Sequence, residues 1–572
     1  NDKVSSAYLM VEPWKLLEAL DKKMNSLNPN INKLAIKIME EGPDLSTDTD
    51  IANVPKGQPA VEHKLETDDI VTVWGPPGTG KTYTMAKIAN SYIAQGKSVL
   101  IVSHSNVSVD GVIKQVVKML GTDKQSILED GKILRFGYVR DDELSQNPYA
   151  TSFNYALSKC DSYARQLEHL MAKRDELRAK NQMKSKEYDE VEHKIKEIRG
   201  EIRKEERKYV ERAQVIGTTI SRATIDPMFE ERQFDLVMFD EVSMAYVPQV
   251  IAAAALAKEK FMCVGDFRQL APISQSPDSR VLQVDIFSYL QIVDGKGNMY
   301  WHPWLVMLNE QRRMAPAISE FPSKFIYNRL LKDNAEVING KKKRDNDLVI
   351  KSAPLPGDAL NLIDLAGTYC AADKNTDGSR FNILSAVISF STAVKAEQNY
   401  IETVGIITPY AAQVRLIRAM LKDYYTKGTT NVSCATVHQF QGSESDVIVF
   451  DAVESYPKSA VGYLMGKEPN QVARLINVAI TRGKGKVITV ANARFWENVF
   501  KGTNHIFYKL LQHIKNGKHQ VIDNHDKTLQ PYIESVNPGR MINIFMNEQD
   551  AISMFEQDMK KAKWQTVVSL PS

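Results

Sequence analysis

The eight residues from Gly75 to Thr82, GPPGTGKT, constrain this chain more than any other stretch of it. Before them, Asp69 to Trp74 (DIVTVW) is a β-rich run that reads as a buried strand. After them, Tyr83 to Ala89 has helical spacing. A glycine-rich turn between strand and helix is the context of a phosphate-binding loop. Gly75, Gly78 and Gly80 let backbone N–H groups turn inward around an anion, with Pro76, Pro77 and Thr79 completing the loop. The new helix points its positive end at that anion. Lys81 would reach the outer phosphates and the Thr82 hydroxyl would hold Mg²⁺. Tyr83 closes the expected nucleotide-binding set. The expected cofactors are ATP and Mg²⁺.

The 572 residues suffice for three or four domains of ordinary size, with ordinary hydrophobic content of 43% and charged content of 25%. The net charge is only +3, so nucleic-acid binding would need a local basic surface. Cys160, Cys263, Cys370 and Cys434 lie far apart, with no Cys/His cluster, so no zinc is expected and a reducing compartment, the cytoplasm, is. The longest apolar stretch, Val250 to Ala257, is too short to span a bilayer, and no signal peptide is visible, so no membrane partner is expected. A first residue of Asn suggests a fragment.

Residues 1–57 carry one amphipathic helix candidate, Glu12 to Glu41, and no chemistry. Gln58 stands one helix and one strand ahead of the phosphate loop, where its amide can match the adenine edge. Ser98 to Asp110 (SVLIVSHSNVSVD) reads as a strand ending in a polar turn. Its Ser103, Ser105 and Asn106 would sit at the carboxyl end of a parallel strand, where α/β sheets bind ligands; helix capping is the alternative. Between Thr151 and Arg199 there is no Pro or Gly. Tyr188, Val191, Ile195, Ile198, Ile202 and Tyr209 keep the spacing of a helical seam, and Tyr163, Leu167, Leu170 and Leu177 form a second. The polar break at Asn181 to Lys186 predicts a helical hairpin with a solvated, salt-bridged face, a nucleic-acid-touching arm being the alternative.

Gln214 to Thr219 restarts a strand. Phe234 to Phe239 is another, running into Asp240 and Glu241. Paired carboxylates at the end of a buried strand are costly unless used. Asp240 suits Mg²⁺ and Glu241 suits the base that orients and deprotonates an attacking water. In FMCVGDFRQLAP, Gln269 can sense the γ-phosphate; in LNEQRRMAPAISEFP, Arg313 can stabilise charge in phosphoryl transfer. A second α/β unit follows, with strands at Gly405 to Thr408, Val447 to Phe450 and Lys486 to Val490. It has no phosphate loop of its own. Arg482 ends a buried segment there, and an arginine from a second domain is a usual source of charge neutralisation.

These segments, in this order, resemble superfamily 1 helicases, in the branch of the nonsense-mediated-decay helicase, senataxin and the immunoglobulin-mu-binding helicase. The likeness covers roughly residues 58–500 and rests on Gln58, GPPGTGKT, SHSNVSVD, DEVS, GDFRQLAP, EQRRMAPAISEFPS, GIITPYAAQ, TVHQFQGSESD and NVAITR. It implies an α/β fold of two tandem RecA-like domains (58–307 with a helical insertion about 121–213, then 308–500), with ATP between them. It carries Gln58 to adenine, Lys81 and Thr82 to phosphates and Mg²⁺, and Asp240 and Glu241 to Mg²⁺ and hydrolysis. It carries Gln269 to γ-phosphate coupling, Arg313 and Arg482 to arginine fingers, and Glu444 to the ribose or to motor coupling. Ser105, Asn106, Thr219, Pro409, Thr436 and His438 would lie along single-stranded DNA or RNA, with movement five-prime to three-prime. The family commonly has an adenine-stacking aromatic where Arg312 stands, and Arg can stack too. The family's small β-barrel before the adenine-reading glutamine and the decay helicase's Cys/His module are not evident, so RNA decay is not carried over.

Residues 501–572 read as an appendage with helices at His505 to Asn516 and Ala551 to Lys563, then a strand at Thr566 to Leu570. That pattern is similar to the opening of a phospholipase-D-type nuclease, although His525-Asp526-Lys527 lacks the downstream Asp. A plain packing appendage is the first reading and a nuclease domain or subunit, as partner, the alternative; a helicase–nuclease pairing would suit antiviral defence. Two functions follow: an ATP-driven single-strand translocase or helicase, or an ATP-gated switch that controls a partner without unwinding.

Overall fold

The β-branched runs of the first half assemble into one parallel sheet in the computed structural model. It describes residues 14–523 apart from residues 47–49, 122–124, 184, 231, 274–281, 400, 426–429, 467–468 and 518. The strands are β1 (Ile70–Trp74), β2 (Val99–Ser103), β3 (Ile133–Arg135), β4 (Val215–Thr219), β5 (Phe234–Asp240), β6 (Ala257–Gly265) and β7 (Leu305–Met307). Their spatial order is β3-β4-β2-β5-β6-β1-β7. Every residue of β1 and β2 is buried, as expected of strands covered on both faces by helices. Val71, Val73, Met85, Ile88, Ile101, Val112, Val116 and Met238 belong to the core on one face.

Short strands β8 (Glu310–Gln311) and β9 (Lys332–Asp333) pair with each other. The second large sheet has β10 (Leu360–Asp364), β13 (Val404–Thr408), β14 (Val432–Thr436), β15 (Ser445–Asp451), β16 (Gly483–Ala491) and β17 (Gln520–Ile522). Between them in sequence, β11 (Ala372–Lys374) and β12 (Arg380–Asn382) form an antiparallel hairpin. The second sheet is also parallel, in the order β14-β13-β15-β16-β10-β17. Two tandem RecA-like α/β domains describe this architecture. The first unit comprises the chain to Pro76, Gly80–Phe267 and Ala271–Asn309. The second comprises Pro77–Thr79, Arg268–Leu270 and the chain from Glu310 onward.

The helical hairpin is present as Asp161–Ala179 and Lys186–Arg212. Leu167, Leu177, Val191, Ile195 and Ile202 form its core, flanked by Tyr163, Leu170, Tyr188, Ile198 and Tyr209. Both seams read from the 3–4 spacing face inward, because that spacing keeps side chains on one helix face.

The single helix expected over Glu12 to Glu41 is corrected to two, Trp14–Asn25 and Lys33–Glu40. Pro29 disfavours a helical conformation at Asn28. The Asn28 side chain then accepts a bond from the Asn30 N–H at 2.9 Å, which closes a turn instead. At the other end, helix Ile506–Asn516 buries Phe507, Leu510 and Leu511, and β17 adds an edge to the second sheet beside β10. Ala551 to Lys563, Thr566 to Leu570 and His525-Asp526-Lys527 lie outside the described residues. Among the described residues no helix is long and apolar enough to cross a membrane.

Candidate functional site

A parallel sheet collects the carboxyl ends of its strands along one edge, and register then sets the neighbours. In the first unit Trp74 stands beside Gly265, and Ser103 stands between Asp240 and Thr219. The phosphate loop leaves from the end of β1, with the Gly75 N–H bonded to the Gly265 carbonyl at 2.8 Å. Gly80 (φ 83°) lies in the left-handed region that glycine alone enters freely, and it caps helix Lys81–Ala94. The Lys81 ammonium donates to the Gly75 carbonyl at 2.8 Å, so its charge lies over the loop's own backbone. Thr82 is half-buried in the first turn of the same helix, and Tyr83 is exposed.

At the end of β5 the two carboxylates are buried, Asp240 at 4% exposure and Glu241 at 9%. The Asp240 Oδ1 atom is shielded from solvent and has no hydrogen-bond partner among the described residues. Burial, reinforced by the charge of Glu241, pushes the Asp240 carboxyl up to about 7 against the pull of Lys81. Glu241 has a left-handed backbone, φ 53° and ψ 38°. That conformation costs a non-glycine residue about 1 kcal/mol or more and is common at functional turns. Among the described residues, Ser103 Oγ and Thr218 Oγ1, at the ends of neighbouring strands, and Ser243 Oγ, in the turn after β5, are buried without partners as well. An orphaned carboxyl oxygen beside a lysine-bearing loop is compatible with a divalent cation, for which Asp240 and Thr82 are the ligands expected from the sequence.

The second unit gathers a different set. Arg482 is 3% exposed, and its Nη2 donates to Gln269 Oε1 at 2.7 Å. Its Nε and Nη1 donate to the carbonyls of Val478 and Ser443, both at 3.2 Å. Arg313 Nε lies 2.6 Å from Glu444 Oε2. The Arg313 guanidinium, aided by Lys484, holds the Glu444 carboxyl below its ordinary range against the opposing effect of burial. The Gly78 carbonyl accepts from the Arg312 N–H at 2.8 Å. A Cβ on Gly78 (φ 74°) would lie 2.7 Å from Arg313 Cβ, so only glycine fits there. Gln311 bonds the N–H groups of Arg313 and Met314 at 2.9 and 2.8 Å and thereby shapes the turn that carries Arg312 and Arg313. The Arg312 side chain itself is exposed.

The residues expected along a nucleic-acid strand divide into two groups. In the first unit, Ser105 Oγ accepts from the Ser108 N–H at 3.1 Å and Thr219 Oγ1 from the Arg222 N–H at 3.3 Å, so both cap helices. Asn106 Oδ1 accepts from Arg135 Nη2 at 2.8 Å. In the second unit, Thr408 pairs with Thr436 in register, which brings Pro409, Thr436 and His438 to one cavity of about 330 Å³ with Arg380 and Tyr463. Burial lowers the His438 imidazole below its usual value. Gln58 opens helix Gln58–Thr67, and its amide N–H donates to Glu62 at 2.8 Å.

Two family models, each described as an AAA domain, match residues 56–277 and 298–494. The DNA polymerase alpha-associated DNA helicase A of Schizosaccharomyces pombe is 27% identical over 472 residues, covering 79% of this chain and 64% of that protein. The regulator of nonsense transcripts 1 homolog of Arabidopsis thaliana is 25% identical over 443 residues, covering 74% and 31%. The chain belongs to the superfamily 1 helicases. The DNA-binding protein SMUBP-2 of Mesocricetus auratus is 26% identical over 483 residues, covering 80% of this helicase chain and 44% of that protein. The chain thus spans less than two thirds of each of these relatives.

Two features of this helicase escaped the reading of its sequence. One is the fully buried pair Arg135–Asp110, 2.6 Å apart. The other is Glu454, 1% exposed, which accepts from Arg380, from the Tyr410 hydroxyl and from the Gly462 N–H. A charge inside a hydrophobic strand such as ILR was the only available signal for the first. For the second, the partners are spread over more than eighty residues, and no local pattern marks them.

Proposed function

We propose that this helicase hydrolyses ATP to move along single-stranded nucleic acid, five-prime to three-prime. The observation that carries the reading is the buried Asp240 carboxylate with its partnerless oxygen, beside Glu241 in a left-handed turn. In this reading the loop N–H groups and Lys81 bind the phosphates, and Gln58 and Arg312 contact the adenine. Asp240 and Thr82 would hold Mg²⁺, which when bound offsets the charge of the phosphate oxygens. Glu241 orients a water and takes its proton as the water oxygen bonds to the γ-phosphorus and the bond to ADP breaks. Arg482 and Arg313 neutralise the charge on the transferred group, and Gln269, bonded to Arg482, senses the γ-phosphate. Glu444 positions Arg313. Asn106, Pro409, Thr436 and His438 grip the strand with little base reading, and Ser105 and Thr219 set the helix ends beside it.

Steady-state ATPase, measured alone and with single-stranded DNA or RNA, tests the proposal. Stimulation by one strand type is expected, and Glu241→Gln should lower turnover by roughly 10²–10⁴-fold while ATP still binds. Strand displacement on a duplex with a five-prime overhang should follow, and turnover without displacement would favour the ATP-gated switch. Absence of stimulation by either strand would remove the motor reading.

A further inference from the structure

The loop from Phe136 to Asp141 in the first unit is built around a guanidinium that solvent does not reach. Arg135, 0% exposed, donates from Nε to Asp110 Oδ1 at 2.6 Å and from Nη1 to the Phe136 carbonyl at 2.5 Å. Its Nη2 donates to the Tyr138 carbonyl at 2.7 Å and to Asn106 Oδ1 at 2.8 Å. The other oxygen of Asp110, itself 1% exposed, accepts from the N–H groups of Arg140 and Asp141 at 2.6 and 3.2 Å. Both ends of the loop are therefore tied to one desolvated ion pair. Such a pair adds little net stability, but it holds whatever it bonds in one geometry.

What the clamp presents is Tyr138. Its ring is 70% exposed, and among the described residues its side chain makes no hydrogen bond or ring contact. Gly137, at φ 109°, brings the chain against Arg222: a Cβ there would lie 3.4 Å from both Arg222 Cδ and Arg135 Nη1. The Arg222 guanidinium lies 3.8 Å from the centre of the Phe136 ring, is 42% exposed and reaches Asp226 only at 3.7 Å. The acidic neighbours Asp141 and Glu143 are taken up by Lys114 at 3.0 and 2.6 Å. The loop so held sets a water-exposed aromatic next in the chain to a glycine that packs on a partly exposed guanidinium. It matches the face of an unpaired base with a phosphate alongside.

We propose that Tyr138 is a base-stacking platform for one nucleotide of a single strand, with Arg222 at the adjoining phosphate and Arg135 as the positioning residue. The proposal rests on the single-strand reading above. Stacking on a ring accepts any base, so the subsite should add affinity without adding sequence preference.

The test is fluorescence anisotropy with the full chain and labelled oligothymidine, oligouridine and a wholly abasic strand of the same length. Tyr138→Ala should weaken binding of the base-bearing strands by roughly 5- to 100-fold, and Tyr138→Phe should bind within about twofold of the unaltered chain. The abasic strand should not distinguish Tyr138→Ala from the unaltered chain. A merely structural role for Tyr138 would predict equal losses on all three strands, and that result overturns the proposal. Equal binding of oligothymidine by Tyr138→Ala and the unaltered chain overturns it too, while leaving the motor reading in place. Failure of the unaltered chain to bind either base-bearing strand removes both.

Discussion

Strands β5 and β15 end alike, in Phe239-Asp240 and Phe450-Asp451, yet the two aspartates live differently. Both lie at the carboxyl end of a central parallel strand, and burial raises both, to about 7 for Asp240 and about 6 for Asp451. Asp451 is satisfied by its own unit: Oδ2 accepts from Gln413 at 2.6 Å and Oδ1 from the Val453 N–H at 3.0 Å. Asp240 leaves Oδ1 without a partner among the described residues. Backbone strain does not separate the two, since Val453 at φ 64° is as left-handed as Glu241 at φ 53°. Hydrogen-bond satisfaction does. A buried carboxylate with its bonds complete is part of the scaffold, whereas one left incomplete calls for an explanation, which the proposed Mg²⁺ supplies.

The comparison breaks first on turnover. Asp240→Ala should lower strand-stimulated ATPase by on the order of 10²–10³-fold, and Asp451→Ala should stay within about threefold. Equal losses in steady-state assays would show that the two carboxylates play one role. Stability should then move by different amounts. A carboxyl raised in the folded state adds stability that is fully present below its unfolded value of 3.8 and lost as pH rises through about 7. Asp240→Asn should therefore stabilise the ligand-free protein by about 1–4 kcal/mol at pH 8 and by little at pH 4 in denaturant titrations. Asp451→Ala strands two donors, a cost of about 1–3 kcal/mol that offsets the relief from removing a carboxyl raised to about 6, so its net change at pH 7 should be smaller.

A gentler test uses pH alone. Asp240 must shed its proton to hold a cation, so affinity for Mg²⁺-nucleotide should rise by up to about tenfold per pH unit between roughly pH 6 and 7 and then level off. Asp240→Asn should flatten that rise in calorimetric titrations, and Asp451→Ala should leave it. The smallest effect compares the hydroxyl at a helix end with one at a turn. Ser105→Ala removes a cap and should cost about 1 kcal/mol, whereas Thr436→Ala, whose bond to the Gln439 N–H is 3.4 Å long, should cost only a few tenths.

Local patterns carried much of this molecule. GPPGTGKT between strand and helix, the inward seams of the hairpin, and the strands at Phe234 and Val447 were readable because periodicity and glycine placement act over a few residues. Glu12 to Glu41 was misjudged because apolar spacing outvoted Pro29. Ser105 and Thr219 show the limit for polar residues. A hydroxyl at a strand end can cap a helix or meet a ligand, and its composition is the same in either case.

Motif order and spacing were enough to assign the α/β class and the helicase family and to name the lysine, carboxylates and arginines worth testing. Folding settled which of these groups are satisfied and which are not. It gave Arg482 to Gln269, Arg313 to Glu444 and Asn106 to a buried Arg135, and it left one oxygen of Asp240 bare. Those outcomes depend on partners far away in the chain, brought close by packing, and no short-range pattern encodes the solvation of a single atom.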